Sequence, residues 1–286
     1  MTLTGREVAD LQARHGLRPS RALGQHFVVD ANTVRRIARL AEVGPGDRVV
    51  EIGAGLGSLT LALCETGAAV TAVEVDRHLL PALREVVEPA GATVVHADAL
   101  SLDWDALLGP PPGSSGGGAG WVLVANLPYN VATPLVADLL DHVPAIVRMV
   151  VLVQREVGER LAARVGTSAY GAVSVKVAYW AVARLAGRVP ASVFAPEPAV
   201  TSVLVALERR PSPAVDPALV PPDELFGLVR AGFAQRRKML RRALVGLVTP
   251  EDFACAGVRP EARAEELDVL AWGALAACAH RGGARR

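Results

Sequence analysis

The stretch "VVEIGAGLGSLTLAL", Val49 to Leu63, sets a run of β-branched residues ahead of three glycines and a leucine-rich segment with helical spacing. Strand, tight turn and helix in that order open a βαβ unit. Glycines at 53, 55 and 57 let the chain turn sharply and let main-chain amides approach a ligand at the head of the helix. Alone, the turn serves a dinucleotide or only the fold. Its spacing is Gly-x-Gly-x-Gly rather than the Gly-x-Gly-x-x-Gly of the dinucleotide fingerprint, and no Lys follows as in a phosphate-binding P-loop.

Working outward, "AVTAVEV", "ATVVHA", "WVLVAN" and "IVRMVVLV" alternate with the helical patterns "RHLLPALREVVE" and "VATPLVADLLDHV". That alternation predicts an α/β fold with a Rossmann-like, mainly parallel sheet. Upstream, a polar arm precedes "DANTVRRIARLAEV", where Asp30 is a candidate N-cap and Val34, Ile37, Ala38 and Ala41 share a helix face. Downstream, "GPPPGSSGGGAG" at 109–120 reads as a flexible loop dispensable to the chemistry. Tyr170 to Glu208 reads as β-rich, with an antiparallel pair closing the sheet edge, and "RRPSPAVDPALVPPDEL" as a linker. Beyond it lie only helical patterns. The expected domains are therefore 1–208, catalytic, and 209–286, helical.

At 286 residues and 51% apolar content the chain can fill one large core and one small one. The first residues lack the apolar core of a signal peptide, and no later run could span a bilayer, so a cytoplasmic protein without a membrane partner is expected. Cys64, Cys255 and Cys278 are scattered, with no spacing for zinc or a disulfide framework, and read as buried apolar residues; no metal is expected. The net charge of +1 is silent about nucleic acid, but its distribution is not. "RAGFAQRRKMLRRAL" carries Arg230, Arg236, Arg237, Lys238, Arg241 and Arg242 without an acid, which makes either a solvated helix face or a phosphate-contacting one.

Ligands of open α/β sheets collect beyond the carboxyl ends of the strands. Four successive strand ends here carry Gly53, Glu74, Asp98 and Asn126. Glu74 can accept from ribose hydroxyls and Asp98 from an adenine amino group, so the four describe a nucleoside-shaped crevice without a polyphosphate site. S-adenosylmethionine meets that description. At the fourth strand end Pro128 fixes its own φ and holds Leu127 extended, which orients the Leu127 carbonyl and the Asn126 amide.

With those residues named, the chain resembles the small-subunit ribosomal RNA adenine dimethyltransferases. The matching stretches are "LGQHFVVD", "EIGAGLGSLT", "AVEVD", "HADAL", "NLPYNVATPL", "VFAPEPAVTSVLV" and "FAQRRKMLRRAL", in family order from Arg18 to Leu270. The resemblance implies a class I methyltransferase fold with a helical C-terminal domain. It also implies N6-dimethylation of two adjacent adenosines near the 3′ end of small-subunit rRNA, in an assembling subunit, by a monomer. Carried over by position, Gln25, His26, Val28, Gly53, Gly55, Glu74, Asp98 and Asn126 hold the cofactor, and Asn126, Leu127, Pro128, Tyr129 and Phe194 surround the target base. Arg236, Arg237, Lys238, Arg241 and Arg242 contact RNA. One departure is His26, where the family usually has Asn.

An adenine amino group is a poor nucleophile, because its lone pair is delocalised into the ring. Two acceptors, the Asn126 side-chain oxygen and the Leu127 carbonyl, would aim that lone pair while Tyr129 and Phe194 stack on the flipped base. The competing readings are a large-subunit rRNA methyltransferase of the macrolide-resistance type, an RNA-binding assembly factor with little turnover, and a dehydrogenase, which the glycine spacing disfavours.

Overall fold

The computed structural model describes residues 2–20, 23–115, 118–128 and 131–283. In chain order the strands are β1 Phe27–Val28, β2 Arg48–Ile52, β3 Ala69–Glu74, β4 Thr93–His96, β5 Trp121–Asn126, β6 Ile146–Gln154, β7 Ala181–Val189, β8 Phe194–Ala195 and β9 Ser202–Arg209. The first helices are α1 Gly5–His15, α2 Ala31–Ala41, α3 Ser58–Cys64, α4 Leu80–Val87, α5 Trp104–Leu108 and α6 Ala132–His142. They are followed by α7 Arg155–Leu161, α8 Ala172–Trp180, α9 Pro222–Ala234, α10 Leu240–Ala243, α11 Pro250–Ala256 and α12 Val269–Gly283.

Seven strands form one sheet in the order β4-β3-β2-β5-β6-β9-β7. β4 through β6 run parallel and β9 lies antiparallel to β6. The order reverses at β2, whose neighbours are β3 and β5, and a switch point of that kind opens a crevice above the strand ends. β5 is buried from Trp121 to Ala125, as expected of a central strand covered on both faces. One face packs on α2, where Val34, Ile37, Ala38 and Ala41 are all buried and Asp30 accepts from the Thr33 amide at 2.6 Å. At the far end of β9, Arg209 donates to the carbonyls of Leu139, Leu140, Val143 and Ile146 at 2.8–3.2 Å. Of these, the Leu140 carbonyl is one that the last turn of α6 leaves open.

The chain divides into two compact units, Met1–Gly158 with Arg184–Arg209, and Glu159–Ala183 with Arg210–Arg286. The sequence reading draws a single cut between 208 and 209, and thus leaves 159–183 in the first part. Those residues contain α8, in a segment expected to be β-rich. Val173, Val175 and Val177 favour strands locally, but no residue of α8 is exposed, and packing of its buried and half-buried residues overrides propensity and blurs the amphipathic stripe. The expected polar arm is likewise a helix, α1, started by a capping box between Thr4 and Glu7.

In the second unit the expected linker contributes Val215 and Val220 to the core, and Gly273 leaves room for Val215. Cys255 and Cys278 form a disulfide between α11 and α12, with Cα atoms 6.1 Å apart, which corrects the reading of unpaired cysteines. The two lie 23 residues apart, a separation that carries no motif. Among the described residues no helix is long and apolar enough to cross a membrane.

Candidate active site

The glycine turn is held in a conformation that other residues resist. Gly53, Gly55 and Gly57 have φ values of 73°, 60° and 86°. A Cβ on Gly55 would stand 3.0 Å from the Phe27 ring, and one on Gly57 would stand 2.4 Å from Cγ1 of Val87. The amides of Gly53 and Ala54 donate to the Val73 carbonyl at 2.9 and 3.3 Å, so the turn is laced to the end of β3. The Gly55 amide donates to Glu74 at 2.8 Å.

Glu74 is only 4% exposed, and its second oxygen accepts from the Asp76 amide at 2.9 Å. Burial raises its pKa, and the two amide bonds work against that rise. A carboxylate oxygen has more than one lone pair, so each keeps acceptor capacity for a ribose hydroxyl. Gln25 faces the same place, with Nε2 donating to Asp76 at 2.8 Å and Oε1 accepting from the Ser20 amide at 2.8 Å, which leaves one N–H and one lone pair for a ligand. Gln25 therefore braces the cleft through Asp76.

One cleft is lined by Gln25, His26, Val28, Gly53, Gly55, Glu74, Asn126, Leu127 and Pro128. A neighbouring hollow shares Gly53, Leu127 and Pro128 with it and is lined by Asp98. There one Asp98 oxygen accepts from the Leu100 amide at 3.0 Å, which fixes the carboxylate and leaves its other oxygen to a ligand. Beside it Val75 and Leu100 present exposed apolar side chains, a fitting seat for a flat base.

Asn126 ends β5, and its Nδ2 donates to the His26 carbonyl at 2.9 Å. That bond turns Oδ1 away as an acceptor. The contact runs through the main chain of His26, so any side chain at 26 leaves it in place, while the imidazole Nδ1 bonds to the Pro196 carbonyl at 2.7 Å. The Leu127 amide donates to the Leu152 carbonyl at 3.1 Å, and the Pro128 carbonyl accepts from Val131 and Ala132 at the start of α6. The Asn-Leu-Pro segment is thus tied at both ends. Tyr129 lies outside the described residues.

Phe194 does not itself line the cleft, but it pairs with Val28, which does. It is 5% exposed in the sheet core beside Val28, with β8 paired to β1.

Sequence reasoning missed two lining groups, Glu51 and Ser58, and the Thr60 hydroxyl behind one of them. Glu51, the acid inside "VVEIG", is buried and accepts from the Thr60 hydroxyl at 2.5 Å. Burial above all, with the neighbouring Glu74 adding to it against the Thr60 bond, pushes its pKa up to about 8. Ser58 has its Oγ buried without a partner among the described residues, a donor left for a ligand. An acid in an otherwise apolar strand was the available signal for Glu51; nothing in the sequence marks Thr60 or Ser58.

The basic stretch is not one helix. α9 stops at Ala234, a turn carries Arg236 to Lys238, and α10 restarts at Leu240. Arg236 is committed elsewhere: its Nε donates to Glu265 at 2.6 Å and its Nη2 to the Ser168 carbonyl at 2.8 Å. Arg241 pairs with Glu261 at 3.2 Å. Arg237, Lys238 and Arg242 are exposed and make no ion pair among the described residues. The five cations named from sequence thus separate into two bound and three free.

Residues 17–279 match the sequence profile of ribosomal RNA adenine dimethylase. The chain belongs to that family. Among curated relatives of the dimethylase, a "Ribosomal RNA small subunit methyltransferase A" from Kineococcus radiotolerans is 47% identical over 99% of this chain and 93% of its own. One of the same name from Thermobifida fusca is 47% identical over 96% of this chain and 95% of its own. Of solved structures, a dimethyladenosine transferase from Plasmodium falciparum superposes with a TM-score of 0.72 at 24% identity, over 87% of this chain and 96% of that one. The 23S rRNA methyltransferase ErmE gives 0.69 at 25% identity, over 89% and 99%. The dimethylase fold is therefore that of S-adenosylmethionine-dependent methyltransferases, as the glycine turn and the acids at the strand ends led us to expect.

Proposed function

We propose that this chain transfers methyl groups from S-adenosylmethionine to the N6 amino groups of two adjacent adenosines near the 3′ end of small-subunit rRNA. The observation that carries the reading is the Asn126 amide, pinned through Nδ2 to the His26 carbonyl so that Oδ1 is held as an acceptor at the mouth of a glycine-turn cleft. The donor set fits the cofactor. Glu74 suits the ribose hydroxyls, Asp98 with Val75 and Leu100 suits the adenine, and Ser58 with Glu51 suits the polar amino-acid end.

Bound there, S-adenosylmethionine supplies an electrophilic methyl on a sulfonium. The protein's part is positional. Oδ1 of Asn126 and the carbonyl of Leu127 accept from the substrate amino group, draw it out of conjugation with the ring and direct its lone pair towards the methyl. No strong base is required, since the amino group becomes acidic as the new bond forms and its proton passes to solvent. Tyr129, next in sequence after Pro128, and Phe194, paired with cleft-lining Val28, are the aromatic candidates for stacking on the extruded base. Arg237, Lys238 and Arg242 hold phosphates of the RNA.

The small-subunit target is favoured over the large-subunit one because relatives at 46–47% identity carry the small-subunit name, while the likeness to ErmE is 25%. The protein acts in the cytoplasm, on an assembling small subunit, as a monomer. The deciding experiment supplies methyl-labelled cofactor with small and large subunits that lack the modification, then maps the label. Two adjacent labelled adenosines near the small-subunit 3′ end are expected. Label confined to the large subunit, or binding without turnover, would overturn the proposal.

A further inference from the structure

The basic stretch also carries an apolar feature that the reaction does not use. Past α10 the chain turns through Leu244, Val245, Gly246 and Leu247. Leu240 and Leu244 are fully buried, whereas Val245 is 74% exposed and Leu247 55%. The turn is ordered by main-chain bonds, with the Leu244 amide donating to Leu240 at 2.9 Å and the amides of Leu247 and Val248 to Leu244 at 3.0 and 3.1 Å. Gly246, at a φ of 81°, supplies the left-handed step between the two outward side chains. Their exposure is therefore built in.

A single apolar side chain on a surface needs no explanation. Here two stand on one turn, with Met239 also exposed, and the free cations Arg237, Lys238 and Arg242 lie within ten residues. No acid occurs between Glu224 and Glu251. A partner that fits must be polyanionic and yet offer apolar faces. Fully paired RNA buries its bases in the stack; unpaired nucleotides present base faces beside closely spaced phosphates. An anionic membrane also attracts cations, but surface anchoring takes a longer amphipathic helix than the four residues of α10.

We propose that Val245 and Leu247 form an apolar tip that packs on unpaired bases of the RNA whose phosphates Arg237, Lys238 and Arg242 hold. The inference rests on the reading of the chain as an rRNA enzyme and names which part of the RNA this surface takes.

The test uses the full chain with two probes, a transcript of the 3′-terminal hairpin of small-subunit rRNA with its loop and a fully paired duplex of equal length, each titrated across a range of salt. Val245→Ser with Leu247→Ser should weaken hairpin binding roughly tenfold at every salt concentration, as loss of apolar burial does. The slope of affinity against salt should not change, and duplex binding should shift less than about twofold. Both positions are exposed, so the melting temperature should stay near that of the parent protein. Equal losses on the two probes, or none on the hairpin, would overturn the base contact. Lost binding to phosphatidylserine vesicles with hairpin binding intact would overturn it in favour of a membrane. Arg237→Ala, Lys238→Ala and Arg242→Ala combined should flatten the salt slope by about one unit for each phosphate no longer held. An unchanged slope in that variant would remove the RNA surface itself, an outcome distinct from failure of the tip.

Discussion

In the cleft, Glu74, Gln25 and Asn126 are tied to neighbouring groups before any ligand arrives. Along the basic stretch, Arg237, Lys238 and Arg242 make no ion pair among the described residues. The contrast follows from what each place must do. Methyl transfer needs atoms fixed to a fraction of an ångström, and rigid main-chain partners give that. Phosphate attraction acts through a screened field of several ångströms, so long mobile side chains suffice. Under the proposed function, fixed polar groups belong to the chemistry and unpaired cations to docking.

The largest effect should come from loosening the fixed side. Asn126→Ala should lower single-turnover methylation about 100- to 1000-fold, with cofactor affinity changed less than about tenfold. Near-normal turnover in a folded variant would reduce Asn126 to a strand-ending turn. Gly57→Ala acts on the same side through the backbone. Its Cβ would fall 2.4 Å from Val87 in a left-handed conformation, and a loss of about 2–3 kcal/mol is expected in denaturant melts. A melt like that of the parent would mean that α4 yields easily.

Glu51 sharpens the comparison through pH. Its folded pKa is about 8 against an ordinary 4.5, so the folded state holds the extra proton between those values. The contribution of Glu51 to stability is full below about 4.5, falls as pH rises towards 8 by up to about 1.4 kcal/mol per unit, and then levels off. Glu51→Gln should make the decline shallower by about one proton, read from unfolding at several pH values. Glu74, also raised, adds a slope of the same sign that remains in the variant. Parallel curves for the two proteins would place the proton elsewhere.

The smallest effect should come from Arg236→Ala. Its half-exposed pair with Glu265 is worth less than about 1 kcal/mol, and the salt slope of RNA binding should not move. A flattened slope would return Arg236 to the docking cations and blur the two classes.

Much of the sheet was legible, because β-branched runs alternating with helical spacing leave few topologies, and "VVEIGAGLG" and "AVEVD" fix where the crevice opens. Asp30 and the four buried positions of α2 followed from one helical period. What stayed hidden was set by tertiary context. Phe194 is set beside cleft-lining Val28 by the β1–β8 pairing, a partnership of strands 166 residues apart at Val28 and Phe194 that no local pattern encodes. Arg236 and Arg237 are neighbours in sequence with opposite fates, decided by Glu265. Asn126 was found, but its anchor was not, since a main-chain carbonyl leaves no trace in residue identity.

That α8 leaves no residue exposed has a consequence for how the protein is made. "AVSVKVAYW" has strong strand propensity, one charge and no Pro, the composition of a segment that pairs with its own kind when left uncovered. Its core partners Phe226 and Trp272 lie later in the chain. The ribosome therefore releases this segment well before the residues that cover it exist, and the interval between the two is when the nascent chain is most exposed to aggregation.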